Sequence, residues 1–241
     1  MKKIVITGAA SGMGASLVKR YHQVGYEIYA SKLAIQEAPI KDAHIHWFDI
    51  DFLIDDLKLW IEQLPKDIDI FIANAGQGAY EINTPPLEMD PLYQLNTLTP
   101  MHQFEILKKR NFKGTFVVMG SIMALWPLPG YARYSHTKGA LVTYFKALQT
   151  TEDIPIVILM PVAVKTEFFM RSTQPHAPWL AQDADKIAIK FQKVIAKKKA
   201  FWISSALFKW SYRLVPWALR FYLKREAKLY HKKFIEGETH D

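Results

Sequence analysis

The sequence predicts an α/β domain in which a doubly wound, parallel β-sheet lies between two layers of helices. Short runs rich in Val, Ile and Phe alternate along the chain with amphipathic helical stretches, which is the pattern of repeated β–α units. Several of these runs are almost continuously apolar, as expected for strands that are buried on both faces. With 241 residues, 50% apolar and 22% charged, the chain is long enough for one such domain with a sizeable core.

Seven apolar runs are predicted to be strands, and five amphipathic stretches are predicted to be helices. The predicted strands are Lys3–Thr7, Glu27–Ser31, Ile45–Phe48, Ile68–Ala73, Thr115–Met119, Ile156–Met160 and Ala200–Ile203. The predicted helices cover residues 13–24, 52–63, 91–110, 131–150 and 183–197. Because the composition changes only beyond residue 197, we expect an α/β domain over residues 1–203 and a helical C-terminal extension over residues 204–241.

Composition excludes several classes of chemistry. The sequence has no cysteine, which rules out disulfides, thiolate catalysis and zinc–thiolate sites. The N-terminal apolar run is too short for a signal peptide, and no stretch reaches the ~18 consecutive apolar residues of a membrane span. We therefore expect a cytoplasmic protein.

A glycine-rich turn follows the first predicted strand. The sequence TGAASGMG, residues 7–14, places three glycines just before the first predicted helix. Glycine allows a tight turn and a close backbone approach that side chains prevent, and the unpaired N–H groups of a helix N-terminus suit a pyrophosphate. We expect this turn to bind a dinucleotide through Gly8, Ser11, Gly12, Met13 and Gly14.

The spacing G-x-x-x-G-x-G resembles the fingerprint of the short-chain dehydrogenase/reductases, in their single-domain branch. Further motifs of that family follow in order: ANAG at residues 73–76, an asparagine within YQLNTL, a serine within VVMGSIM, and YSHTK at residues 134–138. The serine precedes the tyrosine of the last motif by thirteen positions, which is the family's usual gap. The resemblance covers residues 4 to 166 and implies a Rossmann fold that binds a nicotinamide dinucleotide.

The resemblance also implies roles for the matching asparagine and glycine residues. Asn74 stabilises the central sheet, and Gly76 lets the backbone pass the cofactor ribose. By the same resemblance Asn74, Ala75 and Gly76 are expected to contact the cofactor. Asn96 anchors a water molecule in a proton relay to solvent.

Tyr134 is a better candidate for the catalytic acid or base than its neighbour Tyr131. On a helix, Lys138 lies one turn from Tyr134 on the same face, whereas Tyr131 has only a serine in the equivalent place. A nearby ammonium lowers the pKa of a phenol, which is ~10 when free. We expect Tyr134 to exchange a proton with the substrate oxygen, and Ser121 to hydrogen-bond the developing alkoxide. By resemblance Lys138 also holds the nicotinamide ribose, and Tyr131 packs or lines the pocket.

The end of the second predicted strand favours NADP(H) over NAD(H). An NAD site usually has Asp or Glu there, bound to the ribose 2′-hydroxyl. The family alignment puts Lys32 in that place, where it would attract a 2′-phosphate, and Ser31 would add a hydrogen bond. The alternative, that Lys32 is a solvated loop lysine, stays open. Asp49 matches the family aspartate that contacts the adenine amine, and Asp51 is a near competitor for that role.

The loop after the sixth predicted strand departs from the family pattern. In MPVAVKTEF, Pro161 and Thr166 match, but Val162 replaces the usual glycine, which puts the path of the loop in question. If the loop closes as in the family, backbone groups near Val162 and Val164 and the Thr166 hydroxyl hold the nicotinamide carboxamide.

Two segments are expected to flank the substrate pocket, ALWPLPGY at residues 124–131 and FFMRSTQPHAPWL at residues 168–180. Their apolar side chains favour a hydrophobic ketone, aldehyde or alcohol over a sugar or an acid. These side chains are Trp126, Leu128, Phe168, Phe169 and Trp179. Arg171 and His176 are interpreted as solvated lid residues rather than substrate ligands.

The C-terminal extension is strongly basic. Residues 197–233 contain eleven Lys or Arg and one Glu, whereas the whole chain has a net charge of +8. Within residues 204–234, basic residues recur every four positions beside an apolar row and several tryptophans, which is typical of a helix on anionic lipid. The basic residues are Arg220, Lys224, Lys228 and Lys232; the apolar row is Leu219, Leu223 and Ala227; the tryptophans are Trp202, Trp210 and Trp217. Packing on the domain itself, an oligomer interface and a solvated face remain alternatives, and nucleic acid is disfavoured because no reading motif is present.

Together these patterns predict an NADP(H)-dependent oxidoreductase that interconverts a hydrophobic ketone or aldehyde and its alcohol. The first alternative is a non-catalytic dinucleotide-binding sensor or scaffold at the membrane surface. An epimerase or dehydratase of the same superfamily is disfavoured, because those usually carry a longer C-terminal substrate domain. The resemblance implies a homodimer or homotetramer through the helices predicted near 91–110 and 131–150.

Overall fold

Seven strands form one fully parallel sheet in this computed structural model, which describes residues 1–78, 91–166, 181–206, 208–210 and 224. The strands are β1 (Lys3–Ile6), β2 (Glu27–Lys32), β3 (Ile45–Asp49), β4 (Ile70–Ala73), β5 (Thr115–Met119), β6 (Ile156–Met160) and β7 (Phe201–Ile203). They lie side by side in the order β3-β2-β1-β4-β5-β6-β7. All seven predicted strands are confirmed. The predicted doubly wound, Rossmann-type α/β architecture is confirmed as well.

Helices cross between the strands on both faces of the sheet. They are α1 (Gly12–Gln23), α2 (Leu57–Glu62), α3 (Pro91–Tyr93), α4 (Thr99–Lys109), α5 (Ala132–Leu148) and α6 (Ala184–Ala196). A π-helical turn, Gln94–Leu98, joins α3 to α4, so the predicted helix over 91–110 is one continuous element with an irregular turn inside it.

The second helix is shorter than the sequence predicts. The prediction of a helix from residue 52 is wrong, because side-chain carboxylates form a turn there instead. Asp51 accepts a hydrogen bond from the Leu53 N–H at 3.0 Å, and Asp56 then caps α2 by accepting from the N–H groups of Lys58 and Leu59. Such short-range bonds from aspartate compete with a helix and favour its N-terminus.

Two apolar cores cover the two faces of the sheet. One face packs against α1 and α6, with Leu17, Tyr21 and Phe191 buried at no more than 1% exposure. The other face packs against α2, α4 and α5, with a stacked aromatic group at its centre. In that group the rings of Phe71 and Phe116 lie 5.4 Å apart. These cores fix the carboxyl ends of the strands along one edge, where the site lies.

Candidate functional site

A cavity of about 650 Å³ opens along the carboxyl ends of the strands. It lies where the chain, having wound outward from β1 to β3, returns to place β4 on the other side of β1. Ligands of open α/β sheets bind at this reversal of strand order. The volume is in the ordinary range for a small-molecule or cofactor site.

The glycine-rich turn after β1 forms the floor of this cavity. Gly8 and Gly12 have positive φ angles of 61° and 56°. A Cβ atom at Gly8 would lie 2.8 Å from the Ala75 Cα, and one at Gly14 would lie 2.1 Å from the Gly8 carbonyl oxygen. Gly14 itself does not line the cavity, so its role is to let α1 pack closely on the turn. Gly8, Ser11, Gly12 and Met13 do line the cavity, as predicted for a dinucleotide cradle.

Thr7 and Asn74 join the ends of β1 and β4 beneath the turn. The Asn74 side-chain amide donates to the carbonyl oxygens of Thr7 and Gly8 at 2.9 and 3.0 Å. The Thr7 hydroxyl accepts from the backbone N–H groups of Asn74 and Ala75, both at 2.9 Å. The glycine turn is therefore fastened to the central strand, which agrees with the structural role expected for Asn74.

Ser31 is placed differently from its neighbour Lys32. Ser31 is 1% exposed, and its hydroxyl oxygen accepts a hydrogen bond from the Gly8 N–H at 3.0 Å. Ser31 therefore ties β2 to the glycine turn, and a contact between its hydroxyl and a 2′-phosphate stays a prediction. Both residues line the cavity, and Lys32 forms an ion pair with Asp49 at the end of β3. Asp51 lines the cavity whereas Asp49 does not.

Ser121 and Tyr134 meet at the other end of the cavity. Ser121 follows β5 and Tyr134 lies in the first turn of α5, and their hydroxyl groups are hydrogen-bonded to each other. Both side chains are largely buried, at 7% and 6% exposure, and both line the cavity. The Ser121 oxygen also accepts from the Met123 N–H at 3.2 Å, which fixes its orientation.

Lys138 does not lower the pKa of Tyr134 in this structure, which corrects the prediction. Burial raises the pKa of Tyr134 to about 12, and the hydrogen bond from Ser121 offsets this only in part. Burial also lowers the pKa of Lys138 to about 8. The Lys138 ammonium donates to the Met119 carbonyl oxygen at 3.0 Å.

Asn96 lies behind the cavity wall, inside the π-helical turn. Its side-chain oxygen accepts from the Gln77 N–H at 2.9 Å, and its amide donates to the Gln77 carbonyl at 2.9 Å and the Thr137 hydroxyl at 3.2 Å. Gly76 passes between Asn96 and Lys138, because a Cβ atom there would lie 2.7 Å from the Asn96 Oδ1 and 3.4 Å from the Lys138 Nζ. Asn96 thus holds the loop that follows β4 against α5. Its role in a proton relay remains a proposal.

Tyr131 is 2% exposed and packs edge-on against Tyr134, with the ring centroids 6.5 Å apart. It precedes α5, so the two tyrosines are not on one continuous helical face. Tyr134 lines the cavity and Tyr131 does not.

The loop after β6 is held by residues that the sequence analysis did not assign. The Val162 N–H donates to the Ser204 hydroxyl at 2.9 Å, and this hydroxyl donates to the Gln182 side chain at 2.6 Å. The Val162 N–H is therefore already bonded to Ser204, but Val162 itself lines the cavity, so a contact of backbone groups near it with a carboxamide stays a prediction. Positive φ does not occur at Val162, so the loop follows a path that needs no glycine there.

Val164 and Thr166 follow in the same loop, and their contact with a carboxamide stays a prediction. Val164 forms a parallel bridge with Gln182, and both Val164 and Thr166 line the cavity. A Cβ atom at Gly12 would lie 3.4 Å from the Thr166 Cβ, so the threonine faces the start of α1 across the cavity.

An apolar wall flanks Ser121 and Tyr134 on the substrate side. Trp126 and Leu128, both predicted, line the cavity there. Phe208, from the C-terminal extension, packs on Trp126 with ring centroids 4.9 Å apart and lines the same cavity. Sequence analysis missed Phe208, and the only available signal was its position in an apolar stretch shortly after the last strand.

Part of the predicted substrate side and most of the extension lie outside the described residues. These predictions concern Phe168, Phe169, Arg171, His176, Trp179 and Trp217, together with the basic stripe and apolar row apart from Lys224. Trp202 packs on Phe191 within the domain, with ring centroids 5.6 Å apart, whereas Trp210 is 59% exposed. In the part of the chain that the structure describes, no helix is long and apolar enough to cross a bilayer.

Comparisons with known proteins agree with this geometry. The family model described as short chain dehydrogenase matches residues 2–177. The chain belongs to the short-chain dehydrogenase family. Its predicted membership of the short-chain dehydrogenase/reductases, a family of oxidoreductases that act on CH–OH and C=O groups with NAD(P), is thereby confirmed.

One relative and two solved structures illustrate the similarity. The chain is 30% identical to a "Dehydrogenase/reductase SDR family protein 7-like" of Dictyostelium discoideum, over 69% of this chain and 60% of that protein, which is less than two thirds of the relative's length. A short chain dehydrogenase from Burkholderia cenocepacia in complex with NADP superposes with a TM-score of 0.76 at 18% identity, over 92% of this chain and 99% of that one. A short chain dehydrogenase/reductase from Burkholderia phymatum in complex with NAD gives 0.73 at 16% identity, over 92% and 95%. At these identities the solved structures show the shared fold alone. The alternative of a non-catalytic sensor receives no support from the family model or these relatives.

Proposed function

We propose that this short-chain dehydrogenase is an NADP(H)-dependent oxidoreductase that interconverts an apolar ketone or aldehyde and its alcohol. The observation that carries the proposal is the hydrogen-bonded Ser121–Tyr134 pair, placed between a glycine-floored cradle and an apolar wall in one cavity. Relatives of similar fold have been solved with NADP and with NAD.

The residues at the carboxyl edge fit a nicotinamide dinucleotide. Cβ atoms at Gly8 and Gly76 would lie 2.8 Å from the Ala75 Cα and 2.7 Å from the Asn96 Oδ1, so these glycines let the chain segments that line the cavity pack closely on one another. The glycine turn would hold the pyrophosphate at the N-terminus of α1. Lys138 would hold the nicotinamide ribose, and Thr166 with backbone groups near Val164 would hold the carboxamide. When bound, the cofactor supplies or accepts the hydride.

Tyr134 is assigned the transfer of the proton, and Ser121 the stabilisation of the negative charge that develops on the substrate oxygen. With a pKa near 12, the Tyr134 phenol is fully protonated at neutral pH and is ready to donate its proton to a carbonyl oxygen that becomes an alcohol. The Ser121 hydroxyl, 7% exposed, would hydrogen-bond the same oxygen as negative charge develops there. Together with hydride arrival at the carbonyl carbon, this completes reduction of C=O to CH–OH.

An apolar substrate is supported by the wall opposite the tyrosine. The wall presents aromatic and aliphatic side chains, and Lys138, Lys32 and Asp51 are the charged residues among the described residues that line the cavity. The last two lie at the end of the cavity away from Tyr134. A sugar or carboxylate would find few polar partners beside the reacting carbon, whereas an apolar ketone or aldehyde buries its surface there. The wall consists of Leu95, Met123, Trp126, Leu128 and Phe208.

NADP(H) preference is supported by Lys32, whose side chain is 12% exposed and reaches the cavity at the end of β2. The decisive experiment is calorimetric titration of the purified protein with NADPH and, separately, NADH. We expect NADPH to bind at least tenfold more tightly, which is ~1.4 kcal/mol. Tighter binding of NADH would refute the assignment of Lys32, and binding of neither would refute the enzyme itself.

We propose further that the extension over residues 204–234 contacts anionic lipid at the membrane surface. The support is its excess of basic residues and the exposure of Trp210, at 59%. In a co-sedimentation assay, the protein should bind to vesicles of phosphatidylserine and phosphatidylcholine at low salt and dissociate from them at high salt. Equal binding to vesicles of phosphatidylcholine alone, or no binding, would contradict this contact. The homo-oligomer implied by the family resemblance also stays a prediction.

A further inference from the structure

We propose that Asp49 sets how strongly the protein prefers NADPH over NADH, by competing with the cofactor for Lys32. The inference depends on the proposed function. Its basis is the ion pair between these two residues at the adenosine end of the cavity.

Lys32 and Asp49 are held together by the sheet itself. Lys32 is the last residue of β2 and Asp49 the last residue of β3, and the two are register partners across the parallel pair. Their side chains meet in an ion pair in which the lysine is 12% exposed and the carboxylate 57% exposed. Because two strand ends fix the backbones, the pair does not depend on a flexible loop.

The ion pair places a carboxylate directly on the cation that a 2′-phosphate needs. Lys32 lines the cavity, whereas Asp49 touches the same ammonium from outside it. Among the described residues that line the cavity, the only other cation is Lys138, which lies beside Tyr134 at the opposite end. Asp51 adds a second carboxylate at the adenosine end.

A ligand with a 2′-phosphate must share Lys32 with Asp49 or displace it. In either case the phosphate bears the repulsion of a nearby carboxylate, which reduces the attraction that the lysine supplies. A ribose 2′-hydroxyl is neutral and meets no such repulsion. Asp49 therefore weakens the binding of 2′-phosphorylated ligands relative to that of unphosphorylated ligands.

The test compares adenosine 2′,5′-bisphosphate with AMP, two probes that differ only in the 2′-phosphate. By calorimetry, Asp49→Asn should raise the ratio of bisphosphate affinity to AMP affinity about tenfold over the wild type, or ~1.4 kcal/mol. The ratio is the readout because a contact of Asp49 with the adenine amine would affect both probes alike. Glu37→Gln is the matched control, because it removes one exposed carboxylate from the loop after β2 that forms no ion pair among the described residues. Lys32→Ala should lose the preference for the bisphosphate in either background.

The possible results separate this inference from the proposed function. If the wild type prefers the bisphosphate and Asp49→Asn gains nothing, the role of Asp49 is refuted while the cofactor assignment stands. The same holds if Glu37→Gln gains as much as Asp49→Asn, or if AMP binding improves equally. If the wild type binds neither probe, and neither NADPH nor NADH, the proposed function fails and the inference with it. Thermal unfolding followed by circular dichroism verifies that each variant is folded.

Discussion

Lys138 should make the cofactor-free protein measurably less stable at neutral pH, and this effect should disappear as the pH rises. Burial lowers the pKa of Lys138 from 10.5 to about 8. Each pKa unit corresponds to ~1.4 kcal/mol, so keeping this lysine charged at pH 7 costs the folded state about 3 kcal/mol. Below pH 8 both folded and unfolded states carry the proton and the whole cost is present. Between pH 8 and 10.5 the unfolded state binds more protons than the folded state, so stability rises with pH.

The perturbation that isolates this effect is Lys138→Met, which keeps most of the length of the side chain and removes its charge. At pH 7 the gain is offset in part, because the Met119 carbonyl loses the donor that lies 3.0 Å away, at a cost of ~1–3 kcal/mol. The dependence on pH is therefore the cleaner observable. Between pH 7 and 9.5 the wild type should gain about 2 kcal/mol in free energy of unfolding relative to the variant.

Urea unfolding followed by circular dichroism, at pH 7.0, 8.0, 9.0 and 9.5, measures both proteins. Lys190→Met, at an exposed position of α6, is the control and should run parallel to the wild type. The extrapolation carries an error of about 0.5 kcal/mol. If the free energies of unfolding of wild type and Lys138→Met differ by a constant amount within this error over the pH range, the buried charge carries no such cost and the reasoning is refuted.

Three further substitutions probe how the site is built. In urea unfolding, Gly14→Ala should destabilise the protein by ~1–3 kcal/mol, because the new Cβ would lie 2.1 Å from the Gly8 carbonyl oxygen. The control Gly139→Ala should be neutral or stabilising, because the nearest atom to its new Cβ is 3.9 Å away. Ser204→Ala should weaken NADPH binding measured by calorimetry, because the Val162 N–H loses its acceptor and the loop that carries Thr166 is no longer fixed. Unchanged NADPH binding, or an equal loss of affinity in the control Ser205→Ala, would contradict this. Phe208→Ala should raise kcat/KM for bulky over small ketones by about tenfold, ~1.4 kcal/mol, because it removes a ring from the cavity wall; an equal change for both substrates would show that the ring sets no size limit.

The sheet and the order of its motifs were predictable from sequence because they depend on local pattern. Near-continuous apolar runs marked all seven strands. The glycine turn and Ser121 then followed at strand ends, and Tyr134 followed in the helix after Ser121. The start of α2 was mispredicted because Asp51 and Asp56 bond to nearby backbone N–H groups, and such short-range competition leaves no periodic signal.

Contacts between distant segments were not predictable in the same way. Ser204 reaches Val162 across 42 positions, and Phe208 reaches Trp126 across 82, so neither contact is visible within a window of sequence. The pKa of Tyr134 was mispredicted for a related reason. Helical spacing correctly placed Lys138 on the same helix, but spacing carries no information about burial, and burial is the dominant influence on both groups.

The transfer of hydride with a proton from Tyr134 is the central claim, and isotope transfer tests it most directly. The wild type and Tyr134→Phe would each be incubated with NADPH deuterated at the transferable C4 position and a panel of apolar ketones and aldehydes, and the products analysed by mass spectrometry. We predict that the wild type forms alcohols carrying one deuterium at the former carbonyl carbon, and that Tyr134→Phe binds NADPH normally but forms at least a hundredfold less product, the lower end of typical general acid–base contributions of ~10²–10⁴. Undiminished product formation by Tyr134→Phe, or the absence of deuterated alcohol from a wild-type protein that binds NADPH, would contradict the account.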